Sequence, residues 1–330
     1  MPNPFSLELF PGKCLAIPTS EDAKMGPIRL REVRAMDTKQ YRYTKDNFNI
    51  KKAPTWVADS NDQLDKIKDT IDKNIKRIKE AQKKMYAHHR YGVIVVFQAM
   101  DAAGKDSMIS HIFSGVNTVG FKVANFKQPT SEELQHEYLW RINKALPERG
   151  SIGVFNRSYY EDVLVSRVHP ELILKANLPG VTTLLDVNKD FFDMRYEDIR
   201  NYEKYLSHNG YMILKFFLHV SKEEQKNRFL SRIETPRKNW KFSAADIRER
   251  QYWDKYQSAY NKAINATATK ENPWYVIPAD DKWYSRLIVS DIITKQIEKL
   301  PLAYPKMTPD QEGELAKAHQ ILLNEDGKKN

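Results

Sequence analysis

The stretch Tyr91-Gly-Val-Ile-Val-Val-Phe-Gln-Ala-Met-Asp-Ala-Ala-Gly-Lys-Asp-Ser107 decides the fold of this chain. An unbroken apolar run at 93–97 is followed by a turn of small residues at 99–104, and an apolar helical pattern begins after Lys105. This order predicts a buried parallel strand, a loop that cradles a phosphate group, and a helix whose N-terminus points at that phosphate. An ordinary strand-turn-helix with a surface lysine is the alternative, and the Gly-Lys pair between turn and helix argues against it.

The loop departs from the common phosphate-loop pattern in an informative way. That pattern has Gly, four residues, Gly-Lys, and then Ser or Thr. Gly104 and Lys105 match it, whereas Ala99 replaces the first Gly and Asp106 replaces the hydroxyl residue. Asp101 also lies inside the loop, where a carboxylate would repel phosphate. Carboxylates are tolerated there if they hold Mg²⁺, which favours carboxylate and phosphate oxygens, so the sequence predicts a magnesium site in this loop.

The composition is that of a globular chain with a substantial core. The 330 residues are 41% hydrophobic and 29% charged, which fits two domains or one large α/β domain with insertions. The single cysteine, Cys14, excludes an internal disulfide and a thiolate metal cluster. No apolar stretch approaches the ~20 residues of a membrane-spanning helix, and the first residues lack a secretory signal pattern. We therefore expect a cytoplasmic protein without a membrane partner.

The charge balance predicts an anionic partner. The formal net charge is +10 and the pI is about 9.3. Nucleic acid, a charged nucleotide or another polyanion would each satisfy this balance. A solvated basic surface is the alternative.

Strands and helices alternate after a proline-rich N-terminal arm at 1–58, which has no sustained period. An amphipathic helix is predicted from Ser60, and a capping box formed by Thr130 and Glu133 predicts a helix that runs past Trp140. Besides the strand in the opening stretch, strands are predicted at 121–126, 151–155, 211–220 and 274–277. Five strands interleaved with helices indicate an α/β fold, a three-layer α/β/α sandwich with a five-stranded parallel sheet. Residues 301–330 are expected to form a loosely held tail.

A second polar cluster, Asn156-Arg157-Ser158-Tyr159-Tyr160-Glu161-Asp162, follows the strand predicted at 151–155. Open α/β sheets bind ligands at the carboxyl ends of their strands, so this cluster should face the phosphate loop. A helix N-terminus enriched in acids would explain Glu161 and Asp162, but it would not explain Arg157.

A basic segment between two helices follows the fourth predicted parallel strand. The first helix carries Arg228 and Arg232, the connecting loop carries Lys238, and the second helix begins at Ser243. The arrangement at about 222–256 predicts a lid that closes over phosphates, excludes water and brings cations to developing charge. A solvated charge run is the alternative for each of these cations.

Three motifs resemble the family-2 polyphosphate kinases (PPK2). They are Gln98-Ala-Met-Asp-Ala-Ala-Gly-Lys-Asp106, Phe155-Asn-Arg-Ser-Tyr-Tyr-Glu-Asp162 and Ser166-Arg-Val-His-Pro170. The resemblance runs from about residue 60 to 300 and implies a P-loop kinase fold with a helical lid. Glu161 after Tyr160, with Asn156 where many relatives carry Asp, looks like the class III branch. That branch uses polyphosphate to phosphorylate nucleoside monophosphates and diphosphates.

The resemblance also implies roles for individual residues. Asp101 would be catalytic and bind the metal, Lys105 would contact phosphate, and Asn156 and Arg157 occupy the catalytic positions of the second motif. Glu161 would share the metal or position a nucleoside monophosphate. Further substrate contacts are expected from Ala102, Ala103, Gly104, Asp106, Ser107, Lys127, Tyr160, Arg167, Arg228, Arg232 and Lys238. The implied cofactor is Mg²⁺, with Mn²⁺ as the alternative ion. The implied partners are inorganic polyphosphate, AMP, ADP and ATP, together with further copies of the chain in a homo-oligomer, a dimer or a tetramer.

Two other functions fit parts of the sequence. A nucleoside monophosphate kinase that uses ATP would share the fold, but it predicts Gly at position 99 and Ser or Thr at 106. A nucleic-acid binder would explain the basic balance, but the chain has no RNA-recognition or helix-turn-helix signature. We therefore expect no nucleic-acid partner.

Overall fold

The computed structural model describes residues 37–57 and 64–326. Most of the predicted arm, the predicted helix start at Ser60 and the end of the predicted tail lie outside the described residues. Six strands form one sheet in the order β1-β6-β5-β2-β4-β3. The strands are β1 (Arg42–Tyr43), β2 (Gly92–Ala99), β3 (Phe121–Asn125), β4 (Ile152–Asn156), β5 (Tyr211–His219) and β6 (Trp274–Pro278).

The five predicted strands are present and are mutually parallel, which confirms the α/β fold class. The predicted total of five strands needs a correction, because β1 adds a sixth strand that pairs antiparallel with β6. This strand is two residues long and comes from the predicted arm. Two residues cannot show an alternating pattern, so no periodicity marks this strand in the sequence.

Helices cover both faces of the sheet. Those before the predicted lid are α1 (Leu64–His88), α2 (Lys105–Ile112), α3 (Trp140–Lys144), α4 (Glu161–Val168), α5 (Glu171–Leu174) and α6 (Lys189–His208). The others are α7 (Lys222–Glu234), α8 (Ala244–Glu249), α9 (Trp253–Thr267), α10 (Lys282–Ile297) and α11 (Pro309–Asp326). Right-handed crossovers put α2 on one face and α4, α6 and α9 on the other. Accordingly α10 packs on α1 and α2, while α4, α6 and α9 pack on one another.

The central strand β2 brings the two predicted motifs to one edge of the sheet. Its residues 93–97 are buried, as the unbroken apolar run predicts, because strands flank β2 on both sides and helices cover both faces. Phe97 of β2 lies opposite Asn156 of β4. The phosphate loop after β2 and the polar cluster after β4 therefore begin side by side.

The capping box at Thr130 forms, but the long helix predicted from it does not. The backbone N–H of Thr130 donates to Glu133 Oε2 at 2.8 Å, and that of Glu133 donates to Thr130 Oγ1 at 3.2 Å. Only a 3-10 turn at Glu133–Gln135 follows, and α3 begins at Trp140. The Glu137 carboxylate accepts the N–H of Leu139 at 2.7 Å. This local bond starts a new turn in place of a continuous helix.

Within the described part of the chain, no helix is both long and apolar enough to cross a membrane. The last helix, α11, falls in the predicted tail, and every one of its side chains up to residue 325 is exposed.

A buried ionic network ties the sheet to the helices beneath the polar cluster. Lys215 of β5 is fully buried and donates from Nζ to Glu203 Oε2 of α6 at 2.7 Å and to the Thr267 carbonyl of α9 at 3.0 Å. The hydroxyls of Tyr159 and Tyr160 both donate to Glu203 Oε1 at 2.8 Å. Glu203 therefore anchors the segment that leads into α4.

We expect Glu203→Gln to destabilise the protein strongly. The change leaves the Lys215 charge buried without a counter-charge, which costs about 3–5 kcal/mol, and urea denaturation measures the loss. Asp69→Asn is the control, because its pair with Lys73 is exposed, with 62% and 67% of the two side chains accessible. Equal losses in the two variants would contradict this account.

Candidate active site

The phosphate loop, residues 99–104, turns sharply before α2. Gly104, the residue before the first turn of α2, has φ +102°, and Ala102 has φ +59°. Side chains rarely adopt the backbone conformation of Gly104, so glycine is required there. The first N–H groups of α2 have no carbonyl partner within the helix and can bind an anion.

Lys105 turns back under the phosphate loop. Its ammonium donates to the Ala99 carbonyl at 3.0 Å and to the Met100 carbonyl at 3.5 Å. Burial, together with the nearby charge of Arg157, lowers the pKa of Lys105 to about 8. A phosphate bound at the loop would offset this desolvation cost and favour the charged ammonium.

Arg157 joins the two motifs by a pair of ion contacts. Its Nη2 donates to Asp101 Oδ1 at 2.9 Å, and its Nη1 donates to Glu161 Oε2 at 3.1 Å. Glu161 Oε1 accepts a second bond, from Gln98 Nε2 at 2.8 Å. The Glu161 charge raises the pKa of Arg157, and Asp101 adds to the effect. The predicted convergence of the loop and the polar cluster is confirmed.

Asn156 explains why this chain can carry a carboxylate at position 106. The Asn156 amide donates to Asp106 Oδ1 at 2.7 Å and to Asn125 Oδ1 at 2.8 Å. A carboxylate at 156 would repel Asp106, whereas the amide holds it. Asp106, which departs from the common phosphate-loop pattern, is therefore compensated by Asn156, which stands where many relatives carry Asp.

Arg228 of α7 holds the phosphate loop through its backbone. The guanidinium donates to the carbonyls of Ala102 and Ala103, at 3.2 and 2.7 Å, and to those of Ala279 and Asp280, at 2.6 and 3.1 Å. Its Nε donates to Glu224 Oε1 at 2.7 Å. All five N–H groups of Arg228 are used, so it links α7, the loop and the end of β6.

Two clefts meet at the ion contacts of Arg157 with Asp101 and Glu161, here called the Arg157 bridge. The larger, here the phosphate cleft, has a volume of about 1510 Å³. Its cationic side chains are Lys105, Lys127, Arg157, Arg228, Arg232, Lys238, Lys241 and Lys282. The smaller, here the side cleft, has a volume of about 540 Å³, and its lining includes the apolar residues Leu172, Ile173 and Leu178. Both clefts are lined by Asp101, Lys127, Gln128, Arg157 and Asp246.

The predicted lid contributes side chains to both clefts. Arg232 and Lys238 line the phosphate cleft, where Arg232 contacts Asp246 at 3.4 Å and Lys238 donates to Ser231 Oγ at 2.7 Å. Asp246 and Glu249 of α8 line the side cleft.

Ser107 also lines the phosphate cleft, and its hydroxyl accepts a bond from Arg286 at 2.8 Å.

Two predicted substrate residues need correction. Tyr160 is fully buried, and its hydroxyl lies in the Glu203–Lys215 network, so it cannot reach a ligand. Arg167 packs over the Phe192 ring at 4.4 Å and lines neither cleft. Val165 of α4 does line the side cleft. Two residues further along, a helix has turned by about 200°, which puts Arg167 on the opposite face.

Several residues of the site lacked a sequence signal. Asp246 lies in a charged helix whose sequence is equally compatible with a solvated face. Tyr138, Arg141 and Arg195 line the side cleft from segments far apart in sequence. Two further residues, Gln98, which donates to Glu161, and Asp162, belong to the motifs quoted from the sequence, and those motifs could have pointed to them. Burial raises the pKa of the Asp162 carboxyl to about 6.

The donor set fits a magnesium ion shared with a substrate. Among the described residues, no cluster of three or more His, Cys, Asp or Glu side chains could hold a metal by itself. Mg²⁺ is usually held by one or two carboxylates, with phosphate and water oxygens completing the shell. Asp101 is 30% exposed and lines both clefts, and its Oδ2 accepts no bond from described residues. Both oxygens of Glu161, by contrast, already accept hydrogen bonds. Asp101, with exposed Asp106, fits the ion better than the predicted Glu161.

These features define the class of P-loop kinase-like α/β proteins. They are a buried parallel strand, a phosphate loop at a helix N-terminus, a cationic cleft, and a helical segment over that cleft. The profile of the polyphosphate kinase 2 (PPK2) family matches residues 58–303. The chain belongs to this family.

Named relatives agree with this assignment. An ADP-polyphosphate phosphotransferase of Rhodopseudomonas palustris is 47% identical over 87% of this chain and 98% of its own length. An AMP/ADP-polyphosphate phosphotransferase of Meiothermus ruber is 44% identical over 70% of this chain and 81% of its own. The crystal structure of polyphosphate kinase 2 from Arthrobacter aurescens is 33% identical, covers 86% of this chain and 96% of its own, and superposes with a TM-score of 0.76.

We expect Arg228→Lys to fail to replace Arg228. A lysine keeps the charge but cannot donate to four carbonyls at once, so the loop acceptors lose partners at a cost of about 1–3 kcal/mol. The free energy of unfolding and the kcat for phosphate transfer should both fall. Arg237→Lys, on an exposed lid residue, is the control. Wild-type stability and kcat in Arg228→Lys would show that Arg228 acts as a charge alone.

Proposed function

We propose that the protein transfers a phosphoryl group from inorganic polyphosphate to AMP or ADP, reversibly. The observation that supports this most directly is the meeting of two chemically different clefts at Asp101 and Arg157. The names of the relatives from Rhodopseudomonas palustris and Meiothermus ruber agree in donor and include both acceptors. The acceptor range of the class III branch, which includes both AMP and ADP, is part of the proposal.

The phosphate cleft suits polyphosphate as the donor. Among the described residues, its lining holds eight Lys and Arg side chains and one aromatic side chain, that of Phe126. A cleft of that composition binds a chain of phosphates along its length and offers little apolar surface to a purine base. This favours polyphosphate over ATP as the donor.

The side cleft suits the acceptor nucleotide. Its lining includes the charged residues Asp101, Arg157 and Glu161 and the apolar residues Leu172 and Ile173. An ionised phosphate would lie at Arg157, and a base would pack against the apolar residues. The two substrates then face each other across the Arg157 bridge.

The chain's own groups provide positioning and charge neutralisation, which phosphoryl transfer chiefly requires. The N-terminus of α2 and Lys105 bind the terminal donor phosphate, and Arg157 stabilises charge on the transferring group. Arg232 and Lys238 hold the remaining chain and exclude water when the lid closes. Asp101 orients the acceptor phosphate, which is already ionised, so the reaction needs no strong base.

Magnesium, or manganese as the alternative ion, would be held by Asp101 and Asp106. The ion would supply positive charge that neutralises the phosphates at this site. We also propose a homo-oligomer, a dimer or a tetramer, on the resemblance to the family.

The donor is tested by incubating the protein with AMP, Mg²⁺ and either polyphosphate or ATP. We expect ADP and then ATP to form with polyphosphate, and little ADP to form with ATP alone. Chromatography of the nucleotides measures both. Turnover with ATP and none with polyphosphate would favour the ATP-dependent monophosphate kinase instead.

Asp101→Asn should lower kcat on the order of 100-fold or more, because the amide cannot provide the charge that holds the metal and orients the acceptor. Circular dichroism should show the fold retained, since Asn has nearly the same shape as Asp. Asp193→Asn, on the exposed side of α6, is the control. A near-normal kcat in Asp101→Asn would exclude Asp101 from the reaction.

A further inference from the structure

One wall of the side cleft is helix α4 and the residue that ends it. Glu161, Asp162, Val165, Ser166 and His169 all line the cleft. Eight residues of helix rise about 12 Å, so the wall is long enough for a nucleoside monophosphate laid along it. Successive positions along α4 can therefore be assigned to the phosphate, the sugar and the base of a nucleotide.

Asp162 lies at the start of this wall, next to the Arg157 bridge. It directly follows Glu161, which belongs to the Arg157 bridge, whereas the apolar residues Leu172, Ile173 and Leu178 follow the far end of α4. A nucleotide with its phosphate at the bridge and its base at the apolar end would have its sugar beside Asp162.

Arg195 of α6 reaches the same cleft with an unused donor. Only 8% of Arg195 is exposed, and its guanidinium lies over the Tyr138 ring at 3.9 Å. Its Nε–H has no hydrogen-bond partner within the described part of the chain, and neither has the Tyr138 hydroxyl. The Nε–H is shielded from the cleft by its burial, but no hydrogen bond joins the two Nη groups of Arg195 to the described residues either. Buried polar groups in folded proteins nearly always have a partner, so the Nη groups remain available to a ligand in the cleft.

Asp162 provides an unused acceptor beside it. Among the described residues, no donor reaches its carboxylate and no ion pair joins it to Arg195 or Arg141, although both cations line the cleft. The Asp162 carboxylate and the Arg195 guanidinium therefore both line the side cleft with no ion pair between them.

A sugar hydroxyl is the group that satisfies both. It donates its O–H to a carboxylate and accepts from a guanidinium through its lone pairs. A phosphate oxygen can only accept, and Asp162 would repel it. A base edge also combines donor and acceptor, but the apolar end of the cleft is further along the wall.

We propose that Asp162 and Arg195 bind the ribose hydroxyls of the acceptor and make the enzyme select ribonucleotides over deoxyribonucleotides. The inference rests on the proposed function, since it takes the side cleft as the acceptor site. Asp162 and Arg195 are specificity residues here, and the transferring phosphoryl group stays with the residues of the bridge.

The test compares AMP with 2′-deoxy-AMP and 3′-deoxy-AMP at fixed polyphosphate and Mg²⁺. We expect the wild type to favour AMP in kcat/KM by roughly 10- to 100-fold, the worth of a hydrogen bond to a charged group. Asp162→Ala should bring this ratio close to one, mainly by raising the KM for AMP. Asp162→Asn, which keeps the shape and an acceptor oxygen, should retain part of the ratio and serves as the second variant if Asp162→Ala does not fold.

Two further arms make the outcome decisive. Asp193→Asn, on the same helix as Arg195 but outside the cleft, is the control and should keep the wild-type ratio. Calorimetric titration of AMP and 2′-deoxy-AMP without polyphosphate measures sugar selection even if no phosphate is transferred, which separates this proposal from the proposed function. An unchanged ratio in Asp162→Ala, or no selection by the wild type, would overturn it. A changed preference between AMP and IMP with the sugar ratio intact would show that Asp162 contacts the base.

Discussion

The site depends on one guanidinium that keeps two carboxylates together. Arg157 contacts Asp101 on one side and Glu161 on the other, and without it these like charges would repel each other across the meeting point of the clefts. The residue holds this position with φ +64°, a conformation that costs free energy outside glycine. Such strain persists because the two ion contacts and the strand β4 fix the residue on both sides.

That bridge also defines what else the site needs. Arg157 contacts Asp101 through Oδ1, and Asp101 lines both clefts, so its Oδ2 remains available to a divalent ion and phosphate oxygens. The loop that presents Asp101 is held from outside by Arg228, and Gln225 donates to the Asp101 carbonyl at 3.0 Å. Both of these side chains come from α7, the first helix of the predicted lid. The lid helix and the phosphate loop are therefore one mechanical unit, and the position of the loop depends on the packing of α7.

The central part of this arrangement could be predicted because its determinants are local. A continuous apolar run, a Gly-Lys pair and a helical pattern identify β2, the loop and α2, and the rule for strand ends then brings Arg157 to the loop. Tyr160 could not be placed the same way. In sequence it sits inside the motif, but Glu203 and Lys215 draw its hydroxyl into the core. The position of Arg195 could not be predicted from the sequence either, because only tertiary packing distinguishes it from the solvated residues of α6.

Part of the positive charge of the chain is concentrated in the phosphate cleft. Lys282 lies among Arg228, Lys238 and Arg286, and burial together with these cations lowers its pKa. Cations of the phosphate cleft thus repel one another, and some of the lid cations are only partly neutralised, as Arg232 is by Asp246. A bound polyanion relieves this repulsion, so binding should draw the part of the lid beyond α7 toward the loop. The basic balance of the chain therefore reflects a polyphosphate site in which the cations repel one another until the donor binds. A solvated basic surface would not hold its cations at such an unfavourable electrostatic free energy.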